Sequence, residues 1–528
     1  MSQGSQVRLT IGDLYDRAVL QGGDRVAIVD GDRCFSYAEL GGNANRALVA
    51  FQSIGVDKGD RVAFLMANCA EYVFCEYAVA RAGATRVPLA VLLGDDDLVY
   101  MMNFARCSVL VYHEKLAARV REMMPRLETV RHFVCVAGDA ASVAPGHLHL
   151  QAMIASATGA PRPVPIDPED IAGIYFTGGT TGRPKGAMLS HRSWFHTYYI
   201  EMLEFGLGWH ESFVFTTPMT HASGCLLLPV LLRQGRCILV DHFEPDLLLG
   251  TIERHKATVT LLVPTMIYAL LDHPRRDHYD LGSLRNVLYG ASAIAPDRLR
   301  QALTVFGAVF TQFFGQTEAP MALTTLSREA HVVDDPARQQ QVLTSAGLPT
   351  YQTEIRLVDD EGRDVPHGAA GEVIARSPNM MSGYLDNPQA TAAAIRDGWL
   401  YTGDVARIDE EGLITIVDRK KDVIISGGFN VYPREVEDAL FEHPAVRQAA
   451  VVGAPHDKWG EQVMAVVVLH AGRSATAGEL IEFVKARKGS LLAPKSVEFW
   501  SAIPLTNLGK LDRKAIRARF WSGRERNI

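Results

Sequence analysis

The sequence predicts an α/β protein: a large N-terminal region of layered α/β sheets, a small β-rich segment, and a compact C-terminal α/β region. Three observations carry that expectation. Short apolar runs alternate with segments of helical periodicity to about residue 330, the pattern of helices laid on mostly parallel strands. From Glu354 the texture changes: residues 355–358 and 372–375 are short strands between Gly, Pro and Asp turns, as in a small barrel or sandwich. Beyond Asp418-Arg419-Lys420-Lys421-Asp422, a run of charges between apolar strands, an α/β pattern begins again.

Taken in order, Ser36-Tyr37-Ala38-Glu39 fits a capping box, in which serine and glutamate satisfy the open N–H groups of a helix start. Leu40, Ala44, Leu48 and Phe51 follow at helical spacing. Residues 55–60 read as a turn, 61–66 as a strand, 71–81 as a helix and 85–89 as a second strand. Residues 138–167 are rich in Ala, Gly and Pro and read as a surface connection. Past the charged run, a helix near 435–441, strands at 449–452 and 463–469, and a helix capped by Thr476 and Glu479 complete the chain.

Composition bounds the function. A net charge of -7 leaves no basic footprint for nucleic acid. No apolar run is long enough to span a bilayer, so no transmembrane segment is expected. The start of the chain has no basic-then-apolar leader, and the seven cysteines form no Cys-x-x-Cys pair. Reduced thiols and a cytoplasmic location are the expectation.

The most informative stretch is Tyr175-Phe176-Thr177-Gly178-Gly179-Thr180-Thr181-Gly182-Arg183-Pro184-Lys185-Gly186, set between an apolar strand at 171–176 and a second strand at 187–190. Glycines let backbone N–H groups turn inward and approach a ligand, threonine hydroxyls add donors, and lysine adds a point charge. That is a phosphate cradle. It is not a Walker A loop, which needs Gly-Lys-Ser/Thr adjacent and a helix following. The plain alternative is a turn-rich surface hairpin. Four further segments read the same two ways: Tyr289-Gly290-Ala291-Ser292-Ala293, Gln312-Phe313-Phe314-Gly315-Gln316-Thr317-Glu318, Tyr401-Thr402-Gly403-Asp404 and Thr506-Asn507-Leu508-Gly509-Lys510. Each alone fits a core turn, a helix start, an Asp turn or an exposed lysine.

Together and in this order they resemble the adenylate-forming superfamily of acyl-CoA synthetases, acyl-adenylate luciferases and nonribosomal adenylation domains, and most of all bacterial fatty-acid or aryl-acid CoA ligases. The resemblance runs from Phe35-Ser36-Tyr37-Ala38-Glu39-Leu40 to Gly509-Lys510-Leu511-Asp512-Arg513. It implies an AMP-binding domain over residues 1–420, with a small β-barrel subdomain at about 345–418, and a small mobile α+β lid over 421–528 that swings about Lys421. It implies ATP, Mg²⁺ and coenzyme A as cofactors, a small carboxylic acid as substrate, and a reaction in which the acid is joined to AMP and then passed to a thiol.

The resemblance also implies roles. Thr177, Gly178, Gly179, Thr180, Thr181 and Lys185 would hold the leaving phosphates, and Glu318 would bind Mg²⁺. Phe314 would stack on adenine with Ala291 and Ser292 at its edge, and Thr317 would sit near the α-phosphate. Asp404 and Arg419 would take the ribose. Lys510, carried in by the lid, would meet the α-phosphate and the substrate carboxylate. Gly428 would line the thiol tunnel and Trp459 would contact the CoA nucleotide. Leu491-Leu492-Ala493 departs from the aromatic and basic residues of aryl-CoA ligases before Pro494-Lys495. A homodimer is left open.

The acyl pocket implied is His221, Ser223, Gly224, Gly290, Ala291 and Phe313. His221 stands where amino-acid-activating relatives carry an Asp, and a buried ammonium without a partner is costly, so an apolar fatty or aromatic monocarboxylate is expected. For His221 the plain alternative is a satisfied buried histidine. Residues 226–232 are apolar and could open a channel for an alkyl chain. Transfer to an amine or a carrier-protein thiol is the second enzymatic reading. A binding protein that keeps the fold without chemistry is the third.

Overall fold

The computed structural model describes residues 9–177, 183–456, 458–505 and 511–522. The chain forms two compact units. One comprises Met1–Ala293, Arg298–Glu354 and Arg376–Leu400, the other Ile294–Asp297, Ile355–Ala375 and Tyr401–Ile528. The β-rich segment is thus divided, with Ile355–Ala375 and the residues from Tyr401 grouping with the C-terminal region.

The larger unit holds two sheets. In the eight-stranded sheet, Gly383–Tyr384 pairs with Lys185–Ser190, which pairs with Ile171–Thr177; next come Thr85–Pro88, Arg61–Leu65, Val109–His113, His132–Val136 and Leu148–His149. The last six run parallel to one another, whereas Gly383–Tyr384 and Lys185–Ser190 add antiparallel pairs at one edge. The nine-stranded sheet has a parallel centre that includes Ser212–Phe215, Val259–Leu262, Asn286–Gly290 and Phe310–Gln316, with antiparallel hairpins at its edges.

The expected local signals appear where the chemistry places them. Ser36 and Glu39 form the capping box of helix Tyr37–Ser53, which buries Leu40, Ala44, Leu48 and Phe51. Residues 138–167 are more than a connection, since they contain strand Leu148–His149 and helix Leu150–Ser156. Leu150 and Ile154, one helical turn apart, supply its buried face. The apolar residues 226–232 form helix Leu227–Leu232, and Leu226, Leu227, Leu228, Val230 and Leu231 are core residues rather than the wall of an open channel.

Helix Ala70–Arg81 is buried along nearly its whole length. Its Glu76 pairs with Arg86 on the neighbouring strand Thr85–Pro88, and both side chains are almost fully buried. The Arg86 guanidinium lies 4.7 Å from the centre of the Trp194 ring and 5.5 Å from that of Tyr175. Burial pushes the nearby Glu201 carboxyl well up.

Strand Trp399–Ile408, most of it in the smaller unit, pairs with Ile414–Arg419 in a five-stranded sheet. A second sheet is ordered Phe429–Val431, Ile424–Ser426, Gly460–Leu469, Val446–His456, with Ser496–Phe499 added parallel to Gly460–Leu469. Helices Pro433–Phe441 and Ala477–Leu492 pack on it, the second begun by the Thr476–Glu479 capping box. Among the described residues no helix is long and apolar enough to cross a membrane.

Candidate active site

The hairpin of Ile171–Thr177 and Lys185–Ser190 sets Thr177 opposite Lys185. Gly178, Gly179, Thr180 and Thr181 lie outside the described residues, as does Lys510. At the described end of the loop, the Arg183 guanidinium rests 5.0 Å from the Tyr100 ring centre. Gly186 is required there, because a Cβ would meet Ile174 Cγ2 at 2.8 Å.

Lys185 and Glu318 come together through a residue that sequence reasoning missed. Tyr384 pairs across the sheet with Ala187. Its ring centre lies 4.3 Å from Lys185 Nζ, and its hydroxyl donates to Glu318 Oε1 at 2.6 Å. Burial first, and then the Glu318 carboxylate, push the Tyr384 phenol well up, so it remains a donor. A tyrosine beside a glycine carries no distinctive sequence signal, being an ordinary core residue.

Glu318 suits a magnesium ion. It is a half-buried carboxylate bonded to the tyrosine over which Lys185 lies, and Mg²⁺ is commonly held by one or two carboxylates plus substrate phosphates. Among the described residues no group of three or more His, Cys, Asp or Glu could hold a metal ion.

The nucleotide-binding candidates sit at the C-terminal ends of parallel strands, the place where open α/β sheets bind ligands. Strand Asn286–Gly290 ends at Ala291, whose φ of +65° is left-handed. That conformation costs a non-glycine residue about 1–2 kcal/mol and turns the chain sharply, leaving Ala291 and Ser292 exposed. On the adjacent strand Phe310–Gln316, Phe314 is half-buried and Phe313 faces the opposite way, its ring 5.3 Å from Phe205. Gly290 lies beside Phe313, and a Cβ there would meet Phe313 ring carbons at 3.0 Å. Thr317 and Glu318 occupy the tight turn that follows, where a Cβ on Gly315 would strike the Met321 carbonyl at 2.5 Å.

The acyl-pocket candidates are held by a second unforeseen residue. Buried Asn68 donates to the carbonyls of Phe215, Thr217 and Val240 at 2.9–3.1 Å and accepts from Met219 N–H at 2.8 Å. It thereby fixes the strand end that leads into the short helix Ala222–Cys225. Tyr72 donates to the Met219 carbonyl at 2.9 Å. Gly224 is obligatory, since a Cβ would lie 1.9 Å from that oxygen. Ser223 is buried and hydrogen-bonds Thr217. His221 is exposed, so the reading of a satisfied buried histidine does not hold.

The remaining candidates belong to the smaller unit. Asp404 is buried, faces Arg419 across an antiparallel pair, and lies 3.3 Å from its Nε. Lys421 is half-buried; burial and then Arg419 lower its pKa, which sets it apart from a solvated turn residue. Gly427 and Gly428 both have positive φ, and Gly427 N–H donates to the Trp459 carbonyl at 3.0 Å. Trp459 stacks on His456 at 4.2 Å, with Lys495 Nζ 5.9 Å from its ring centre.

Comparison with known proteins gives the same assignment. The AMP-binding enzyme profile matches residues 15–385, and the AMP-binding enzyme C-terminal domain matches residues 435–510. The chain is 38% identical over 510 residues to the medium/long-chain-fatty-acid–CoA ligase FadD8 of Mycobacterium tuberculosis, covering 94% of this chain and 88% of that protein. It is 36% identical over 496 residues to a feruloyl-CoA synthase of an Amycolatopsis species, covering 94% and 96%. Among solved structures, the amide bond synthetase McbA of Marinactinospora thermotolerans superposes with a TM-score of 0.87 at 33% identity, covering 96% of this chain and 99% of that one. With both profiles matched in chain order and relatives alike over nearly its whole length, the chain belongs to the AMP-binding enzyme family, within the adenylate-forming superfamily.

Proposed function

We propose that the protein is an AMP-forming acid–CoA ligase acting on an apolar monocarboxylic acid, fatty or aromatic. The observation that carries this reading is the strand pairing that sets Lys185 and Glu318 about Tyr384 at one sheet edge. It offers an ammonium to phosphate oxygens and a carboxylate to a hard cation, the two charges that ATP chemistry needs. The named substrates of FadD8 and the feruloyl-CoA synthase, a fatty acid and ferulate, support the apolar acid.

In the first half-reaction a substrate carboxylate oxygen bonds to the α-phosphorus of ATP, and the bond to the bridging oxygen breaks. Pyrophosphate leaves with the electron pair. In the second, the thiol sulfur bonds to the acyl carbon, the acyl–oxygen bond breaks, AMP leaves with the pair, and the thiol proton passes to solvent. Thr177, Lys185 and the loop between them would grip the leaving phosphates. Glu318 would hold Mg²⁺, which neutralises phosphate charge when bound. Phe314, Ala291 and Ser292 would position adenine, Thr317 and Lys510 the α-phosphate, and Asp404 with Arg419 the ribose. His221, Ser223, Gly224, Gly290 and Phe313 would shape the acyl site, and Gly428 and Trp459 would meet CoA. The Trp459–His456 stack beside Lys495 is a flat, basic platform suited to a nucleotide.

Transfer to an amine or a carrier-protein thiol is the second reading, favoured by the likeness to an amide bond synthetase. ATP–pyrophosphate exchange across fatty and aromatic acids, followed by product analysis with CoA, with amines and with neither, decides between them. The expected result is exchange with an apolar acid and a thioester only with CoA; an amide product overturns the choice of acceptor. With Lys421 as hinge, Lys421→Pro keeps exchange and loses thioester formation, and equal loss of both half-reactions refutes the hinge.

A further inference from the structure

We propose that Tyr384 is a positioning residue that keeps the Glu318 carboxylate and the Lys185 ammonium apart, so that each stays open to its own part of a metal–polyphosphate ligand. This rests on the reading of Glu318 as cation ligand and Lys185 as phosphate contact.

Tyr384 is fixed from several sides. Its backbone N–H donates to Thr391 Oγ1 at 2.9 Å, and Thr391 in turn donates to the Asn387 carbonyl at 2.9 Å. The preceding Gly383 has a φ of +144°, and a Cβ there would meet Thr391 Cγ2 at 2.9 Å, so only glycine lets the two segments approach this closely. The same segment holds Glu318 twice: Met381 N–H donates to its carbonyl at 2.8 Å and Tyr384 Oη to its carboxylate. Among the described residues, Tyr384 is the only hydrogen-bond partner of that carboxylate. Likewise, Lys185 forms no ion pair with a carboxylate among the described residues and lies over the tyrosine ring instead.

A lysine and a glutamate held against one tyrosine would ordinarily close on each other. A direct pair would neutralise both charges and take up the oxygens a cation needs. The phenol occupies one carboxylate oxygen with a neutral donor, and the ring face holds the ammonium by its quadrupole, a contact a phosphate can displace. Outer partners of this kind orient metal ligands, and losing one typically costs 10–100-fold in metal affinity.

The test is Mn²⁺ binding, followed by electron paramagnetic resonance, to the full chain with α,β-methylene-ATP. Tyr384→Phe removes the hydroxyl and keeps the ring; it is expected to weaken Mn²⁺ binding about 10-fold, at an unchanged melting temperature. In a Glu318→Gln background the same change adds nothing, because the hydroxyl acts through that carboxylate. Thr391→Ala, which frees the Tyr384 backbone without touching Glu318, weakens binding by about threefold, the value of one ordinary hydrogen bond. Mn²⁺ binding by Tyr384→Phe equal to that of the wild type, or a loss that persists undiminished in Glu318→Gln, overturns the inference alone. Equal Mn²⁺ binding by wild type and Glu318→Gln instead overturns the metal-ligand reading beneath it, and the inference with it.

Discussion

Among the cations of the larger unit that lie over aromatic rings, Arg86 and Lys185 make an instructive pair. Arg86 lies over Trp194 and Tyr175 in the core, with Glu76 as a buried countercharge beside it. Lys185 lies over Tyr384 at a sheet edge, with Glu318 held beyond the tyrosine hydroxyl. In the core the fold itself supplies the opposite charge. At the edge, among the described residues, no carboxylate pairs with the lysine, and on the proposed reading a phosphate takes that place. A buried pair broken on one side is strongly destabilising, whereas a half-exposed ammonium on a ring face contributes little to stability. The same contact type thus stands beside a buried countercharge in one place and apart from one in the other.

Substitutions break this comparison in order of expected effect. Arg86→Met strands Glu76 in the core and should lower stability by about 3–5 kcal/mol, read from urea denaturation; an unchanged midpoint would mean that the pair is not part of the stabilising core. Lys185→Met should leave the denaturation midpoint within experimental spread. It should lower ATP–pyrophosphate exchange by about 100–1,000-fold, the typical loss on removing one preorganised charge-stabilising group. A large stability loss with Lys185→Met would erase the contrast.

Acid sharpens it further. His191 and His331 are buried, and burial lowers each pKa from 6.5 to about 4. His191 Nδ1 accepts the Ile11 N–H, and His331 Nε2 bonds the Tyr289 hydroxyl, so both are held neutral. Between about pH 6.5 and 4 the unfolded chain binds protons that the folded chain refuses, and stability falls as pH falls. The loss is on the order of 2–3 kcal/mol per histidine; denaturation midpoints that stay flat across that window would refute it. The smallest effect is expected at Ala291. Ala291→Gly relieves the left-handed backbone but frees the unfolded chain, for a net gain of about 0.5 kcal/mol. A loss of stability there would show that the methyl group packs.

Much of the fold was legible because its signals are local. The Ser36 and Thr476 caps, the apolar strands and the switch of texture at Glu354 depend on residues a few positions apart. In the small β-rich segment the strand pattern specifies alternation, whereas strand order depends on which edges meet. Residues 138–167 hid a helix because two buried side chains suffice for a short one.

The candidate site divides the same way. Lys185, Glu318, Ala291 and Asp404 announce themselves through spacing and glycine-rich turns, so the sequence by itself determined the charge types and the family resemblance. Tyr384 and Asn68 do not, because a tyrosine and an asparagine are chemically ordinary until something distant needs them. Glu318 lies 66 residues from Tyr384, and Asn68 reaches carbonyls 147–172 residues away. Only the tertiary structure decided that the lysine and the glutamate meet at one phenol, and that one amide ties down the loop ahead of helix Ala222–Cys225. The physical reason is that hydrogen-bond satisfaction and charge separation belong to the packed neighbourhood, which strand order and register create and which no window of sequence contains.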